Sequence, residues 1–220
     1  MARTITKLLG SRLVGLVPLV LLMALVVGLA GIGTGQGVAQ RRPSQPDLTF
    51  NLVRSQEAQN NDCLENARAT AKVFLLNQAE ELQLSARGLP RNVAFTVFVI
   101  QVPNAPFGAV WYQGDLISDS EGKAKVRYIG RFSVESFIDA PGAANPVVLH
   151  DGDAENGTDT NGAIHTFHIG VWFDDPADAA AAGCPDTVTP FNDVHEAGIQ
   201  ALSTRNAGTS AGAGPLRDVG

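Results

Sequence analysis

Between residues 63 and 204 the chain repeats one device: a short run of alternating apolar and polar side chains, closed off by Gly or Pro. Alternation with a period of two sorts side chains onto opposite faces of an extended strand, so each run must lay one face on a core. Leu82, Leu84 and Ala86 alternate with Gln83, Ser85 and Arg87, and Gly88-Leu89-Pro90 ends the run. Arg68, Thr70 and Lys72 alternate with Ala69, Ala71, Val73 and Leu75, with a helix from Asp62 as the alternative reading. Ala94 to Val102 is apolar on both faces, the pattern of a central strand covered on two sides. Asp115 to Ser118 and Lys123 to Val126 flank Asp119-Ser120-Glu121-Gly122 and read as a hairpin, with Gly in the positive-φ position. Val126, Tyr128, Phe132 and Val134 face one way, and Arg127, Arg131, Ser133 and Glu135 the other. Thr166 to Phe173 and Ala197 to Thr204 complete the set.

One helix signal stands out. Asp175 caps, Pro176 takes the first helical position, Ala179 to Ala182 propagate and Gly183 stops the turn. Closely spaced strands without long helices between them predict an all-β fold. The expected form is an antiparallel β-sandwich of the immunoglobulin-like class over residues 48–204, with a short helix near 176–182.

The N-terminus reads as an address. Arg3, Lys7 and Arg12 precede an uncharged, Leu- and Val-rich run from Leu13 to Gly33, and Gly37-Val38-Ala39 offers small residues for a cut after Ala39. Residues 1–39 are therefore expected to be a signal peptide and the product to be secreted or held at the cell surface. The run is also close to the ~20 residues that span a bilayer, so an uncleaved anchor over residues 13–33 is the alternative. Residues 40–47 read as a polar linker, and the small, polar residues 205–220 as a disordered tail. Gly208-Thr209-Ser210-Ala211-Gly212 in that tail matches the nucleophile-elbow pattern only formally, because neither a strand nor a helix flanks it. Cys63 and Cys184 are the only two cysteines, and in an oxidising compartment they are expected to pair.

Several segments resemble a known group: Gly88-Leu89-Pro90; Phe95 to Pro103 (FTVFVIQVP); Pro106-Phe107-Gly108; Trp111-Tyr112-Gln113-Gly114-Asp115; and Gly130 to Phe137 (GRFSVESF). His165 to His168 and Ala197 to Thr204 fit the same group. Over roughly residues 63–205 the chain resembles an uncharacterised family of exported bacterial β-sandwich proteins. The resemblance implies export and fold, and carries no activity or functional residue with it.

Candidate sites follow from residue chemistry. Asp151, Asp153, Glu155 and Asp159 place oxygen ligands in a Gly-rich segment, 151–162, that suits Ca²⁺. The EF-hand pattern fails there, since Gly157 comes one place late and the twelfth position is Gly162 instead of Glu. A plain solvated turn is the competing reading. His165 and His168 are three apart, which on a strand puts them on opposite faces, so one at a rim and one packed is the simpler expectation. A transition-metal site built from His150, His165, His168 or His195 would make the protein a metal-dependent enzyme. A blue-copper site lacks its usual Met, because Met1 and Met23 both lie in the export segment. Trp111 and Tyr112, with Phe107 and Trp172, could instead form an aromatic platform for a sugar or protein partner. Asp115, Glu135 and Asp139 cannot be sorted into acid and base from sequence alone.

Net charge is −6, and losing residues 1–39 would remove three cations and no acid. Between Arg131 and Arg205 there are 12 Asp and Glu and no Lys or Arg. Such a chain repels phosphate backbones, so no nucleic-acid partner is expected, and a membrane only through an uncleaved N-terminal segment. The sequence as a whole points to a non-catalytic binding or structural protein without an obligatory cofactor. A Ca²⁺-dependent module at 151–162 is its first rival.

Overall fold

The structure, a computed structural model, describes residues 45–77, 79–132, 165–190 and 196–218. The N-terminal segment 1–39, the acidic segment with Asp151, Asp153, Glu155 and Asp159, and His150 and His195 lie outside the described residues.

Ten strands and two short helices follow one another along the described chain. They are β1 (Leu48–Arg54), α1 (Gln56–Asn60), β2 (Arg68–Leu75), β3 (Glu80–Arg87), β4 (Ala94–Ile100), β5 (Val110–Ile117), β6 (Ala124–Gly130), β7 (His168–Phe173), α2 (Pro176–Ala181), β8 (Thr189–Pro190), β9 (Glu196–Ala197) and β10 (Gln200–Ser203). Eight strands form one sheet in the order β5-β4-β7-β10-β1-β2-β3-β6, and β8 pairs with β9 apart from it. Every pairing is antiparallel. The all-β, antiparallel expectation therefore holds, and the strand reading of residues 68–75 prevails over the helical one.

The apolar half of each alternation explains the core. Leu52, Ala71, Val73, Leu82 and Leu84 from one part of the sheet meet Phe95, Val97, Ile169, Val171, Phe173 and Leu202 from the other, all buried. Strand β1 serves both parts: Leu48–Leu52 pair with β2, while Val53 and Arg54 pair with β10. The two layers are thus one continuous, nearly closed sheet. The edge strands β5 and β6 approach each other across the remaining seam, where the Tyr128 hydroxyl donates to the Asp115 carbonyl at 3.0 Å. The expected hairpin is corrected here. Its turn is tight, with Gly122 at φ +72° and Asp119 N–H donating to the Lys123 carbonyl at 2.7 Å. Yet β5 takes its ladder from β4 and β6 from β3, because the turn carries the chain from one layer to the other.

Helix α2 begins as expected, with the Asp175 carboxylate accepting from Ala177 N–H at 2.7 Å and Pro176 in the first turn. Helix α1 was not expected. The Ser55 hydroxyl caps it by accepting from Ala58 N–H at 3.0 Å. Cys63 and Cys184, just beyond the two helices, are bonded to each other with Cα atoms 5.3 Å apart.

The disordered-tail expectation is corrected. Residues 205–218 form three short 3₁₀ turns, Leu216 is fully buried, and its N–H donates to the Phe167 carbonyl at 3.1 Å. A single buried Leu and a few backbone bonds suffice to order a segment whose composition alone reads as unstructured. At the other end, Asp47 of the predicted linker already lies alongside β2, its N–H donating to Val73 and its carboxylate accepting from Leu75.

Candidate functional site

The polar half of the alternation builds a surface as definite as the core. Register places Asn51, Thr70, Ser85 and Lys125 in one row across β1, β2, β3 and β6. Thr49, Lys72, Gln83 and Arg127 form the row on one side of it. On the other side Arg68 lies directly opposite Arg87, and Lys123 immediately precedes β6. Residues two apart share a strand face, so all these side chains emerge on the side away from the core. A groove opens between the central row and the row of Arg68 and Arg87, with Thr49, Lys72, Gln83 and Arg127 outside it. The groove has a volume of about 850 Å³, with Arg68, Arg87, Lys123 and Lys125 against one carboxylate, Asp119, among the described residues.

The charges in this groove are mostly uncompensated. Lys123 pairs with Glu121 at the surface, and Asp119 is occupied by the N–H groups of Glu121 and Lys123 at 2.8 and 2.9 Å. Those two bonds hold the Asp119 carboxyl below its usual pKa, so it is a fixed turn element and not a free base. Arg127 reaches Glu81 at 3.6 Å. Arg68 spends one guanidinium N–H on the Asn66 carbonyl, at 3.0 Å. Among the described residues, Arg68, Arg87, Lys72 and Lys125 form no ion pair with a carboxylate. Arg68 facing Arg87 is a like-charge pair on adjacent strands, an arrangement that costs stability unless an anion sits between them. At the floor, Thr70 donates to the Asn51 side chain at 3.0 Å, leaving further donor and acceptor capacity outward.

Of the residues singled out from sequence, Phe107, Trp172 and, through Phe98, Tyr112 form one chain of ring contacts, while His165 and His168 make separate contacts. His168 is fully buried at the start of β7. Its Nε2 lies 3.0 Å from the Ser210 carbonyl, which can only accept, so Nε2 carries the proton. Its Nδ1 therefore accepts from the Thr204 hydroxyl at 3.0 Å. Burial lowers the His168 pKa, partly offset by the bond to Ser210, and the ring stays neutral as a clamp between β7 and the C-terminal segment. The match to the nucleophile elbow thus meets a histidine, but through the carbonyl of Ser210. His165 precedes β7 and stacks on Phe167 at 4.7 Å, on a different contact from His168. Among the described residues no three His, Cys, Asp or Glu side chains gather as metal ligands would.

Trp111 and Tyr112 are 42 % and 51 % exposed on the edge strand β5. Being consecutive, they leave the strand on opposite sides and do not make one flat platform. Tyr112 packs edge-on against Phe98 at 5.8 Å and donates to Asp115 at 2.7 Å. Partial burial, that bond, and the charges of Asp115 and Asp174 push its pKa up to about 12. Phe107 and Trp172 pack against each other, 4.9 Å apart, with Trp172 fully buried.

No family model matches the chain, and no curated protein is found similar to it. Among the described residues no helix is long and apolar enough to cross a membrane.

Proposed function

We propose that the protein is an exported, non-catalytic binding module whose ligand lies on the outer face of β1, β2, β3 and β6. The groove between Asn51, Thr70, Ser85 and the cations beside them carries this reading. Arg and Lys keep one protonation state near neutral pH and offer donors without acceptors, which suits them to hold an anionic ligand and not to shuttle protons. A disulfide-tied antiparallel sheet supplies a stiff support for such a face. Export rests on the charged N-terminus, the apolar run from Leu13 to Gly33, and two cysteines at bonding distance.

The test is chromatographic. At pH 7 the cleaved chain, whose net charge is −6 less the three cations of residues 1–39, or −9, should pass a sulfopropyl matrix, unless a local basic face grips it. Retention at low salt, lost in the double variant Arg87→Ser/Lys125→Ser, is the expected result. Passage of the native chain straight through would remove this face from consideration. N-terminal sequencing of protein recovered outside the cell should begin at Gln40. A product still starting at Met1 and held in the membrane fraction would point to the anchor instead.

A further inference from the structure

Resting on that reading of the groove, we infer that its ligand is an acidic polysaccharide, with carboxylates seated on Arg68 and Arg87 and hydroxyls meeting Asn51, Thr70 and Ser85. Arg68 and Arg87 are direct cross-strand partners. Opposed residues of an antiparallel pair lie about 5 Å apart, so the two arginine side chains leave the sheet from neighbouring points, with one Arg68 N–H given to the Asn66 carbonyl. A planar fork binds a carboxylate through two parallel hydrogen bonds, a geometry that Lys does not reproduce. Lys125 repeats the positive charge one strand further on, in the next row. Charges spread over three strands, two directly opposed and the third a diagonal step of about 7–8 Å away, suit a polymer with one charge per unit better than a single small anion.

The floor separates this ligand from other polyanions. Asn51 keeps its amide N–H donors, Thr70 keeps acceptor capacity, and the Ser85 hydroxyl can do either, so a hydroxyl-rich chain meets both kinds of partner. Among the described residues no aromatic side chain lines the groove, so unpaired bases find no surface there to stack on. The groove's lining comes from β1, β2, β3 and β6, as a chain lying across the strands would need.

Affinity electrophoresis of the native protein in gels containing polygalacturonate, neutral dextran or a thymidine oligonucleotide tests the inference. Polygalacturonate should retard the protein, the effect should fall as salt rises, and dextran should leave mobility unchanged. Arg68→Ser/Arg87→Ser should weaken retardation at least ten-fold without lowering the melting temperature. Arg87→Lys, which keeps the charge and loses the fork, should fall between. Stronger retardation by the oligonucleotide, equal retardation by dextran, or a double variant that folds and still binds fully would overturn the assignment. Retention on the sulfopropyl matrix without retardation by polygalacturonate would reject the polysaccharide and leave the basic face standing. Failure of both would reject the two together.

Discussion

Cys63 and Cys184 are bonded at equivalent points of two helix ends. Each follows a residue in the left-handed conformation, Asp62 at φ +52° and Gly183 at φ +77°. Each donates its N–H to the carbonyl five residues back, Cys63 to Ala58 at 3.1 Å and Cys184 to Ala179 at 2.9 Å. That bond closes the last turn of a helix and fixes where the next side chain points. Two copies of the same terminator thus present the two sulfurs to each other across 121 residues of chain.

Removing the bridge should cost heavily. Cys63→Ser/Cys184→Ser frees a loop of that length in the unfolded chain, worth about 3–5 kcal/mol in the chain-entropy model. Urea unfolding of the oxidised protein against the double variant measures this. Mass spectrometry with alkylation should find two thiols only after reduction.

Gly183→Ala places a Cβ in open space, so only the backbone conformation is penalised. A loss of about 1–2 kcal/mol is expected, without any change in the core. An unchanged unfolding midpoint would mean that α2 does not need its terminator.

The seam between β5 and β6 is closed by a ring lying on a glycine. A Cβ on Gly114 would come within 2.6 Å of the Tyr128 ring, and its φ of +148° is itself unfavourable for other residues. Gly114→Ala should therefore destabilise by more than Tyr128→Phe, which loses only the hydroxyl bond to Asp115, worth about 1 kcal/mol. Thermal melts of both variants give the order.

His168 makes stability depend on pH. Its folded pKa lies below the ordinary histidine value, so the unfolded chain takes up the proton more readily. The contribution is fully present above about pH 6.5 and is lost as pH falls toward the folded pKa. The slope cannot exceed about 1.4 kcal/mol per pH unit for one proton. Denaturation midpoints between pH 7.5 and 5 should fall in the native protein and flatten in His168→Gln.

Much of this architecture is legible in the residues themselves. The alternations at 68–75 and 82–87 place the strands and sort core from surface, because period two leaves little choice of face. Asp175-Pro176 marks α2 through local chemistry alone. What alternation cannot give is register. Arg68, Arg87 and Lys125 are each visible as outward residues, but their meeting depends on which strands are neighbours. The sequence-adjacent pairing of β5 with β6 looks natural and is replaced by β4 and β3. Trp111 and Tyr112 draw notice by size, while the groove is made of residues that are ordinary one by one. The order of residues 205–218 hangs on Leu216 and on the Ser210 carbonyl, neither of which composition reveals.

The binding face itself is tested most directly by amide chemical-shift mapping of the isotope-labelled protein during titration with a short galacturonate oligosaccharide. Shifts centred on Asn51, Thr70, Ser85, Arg87 and Lys125, with Trp111, Tyr112 and His165 unmoved, are the expected result. Shifts centred on Trp111 and Tyr112, or none anywhere at low salt, would contradict the assignment of function to this side of the sheet.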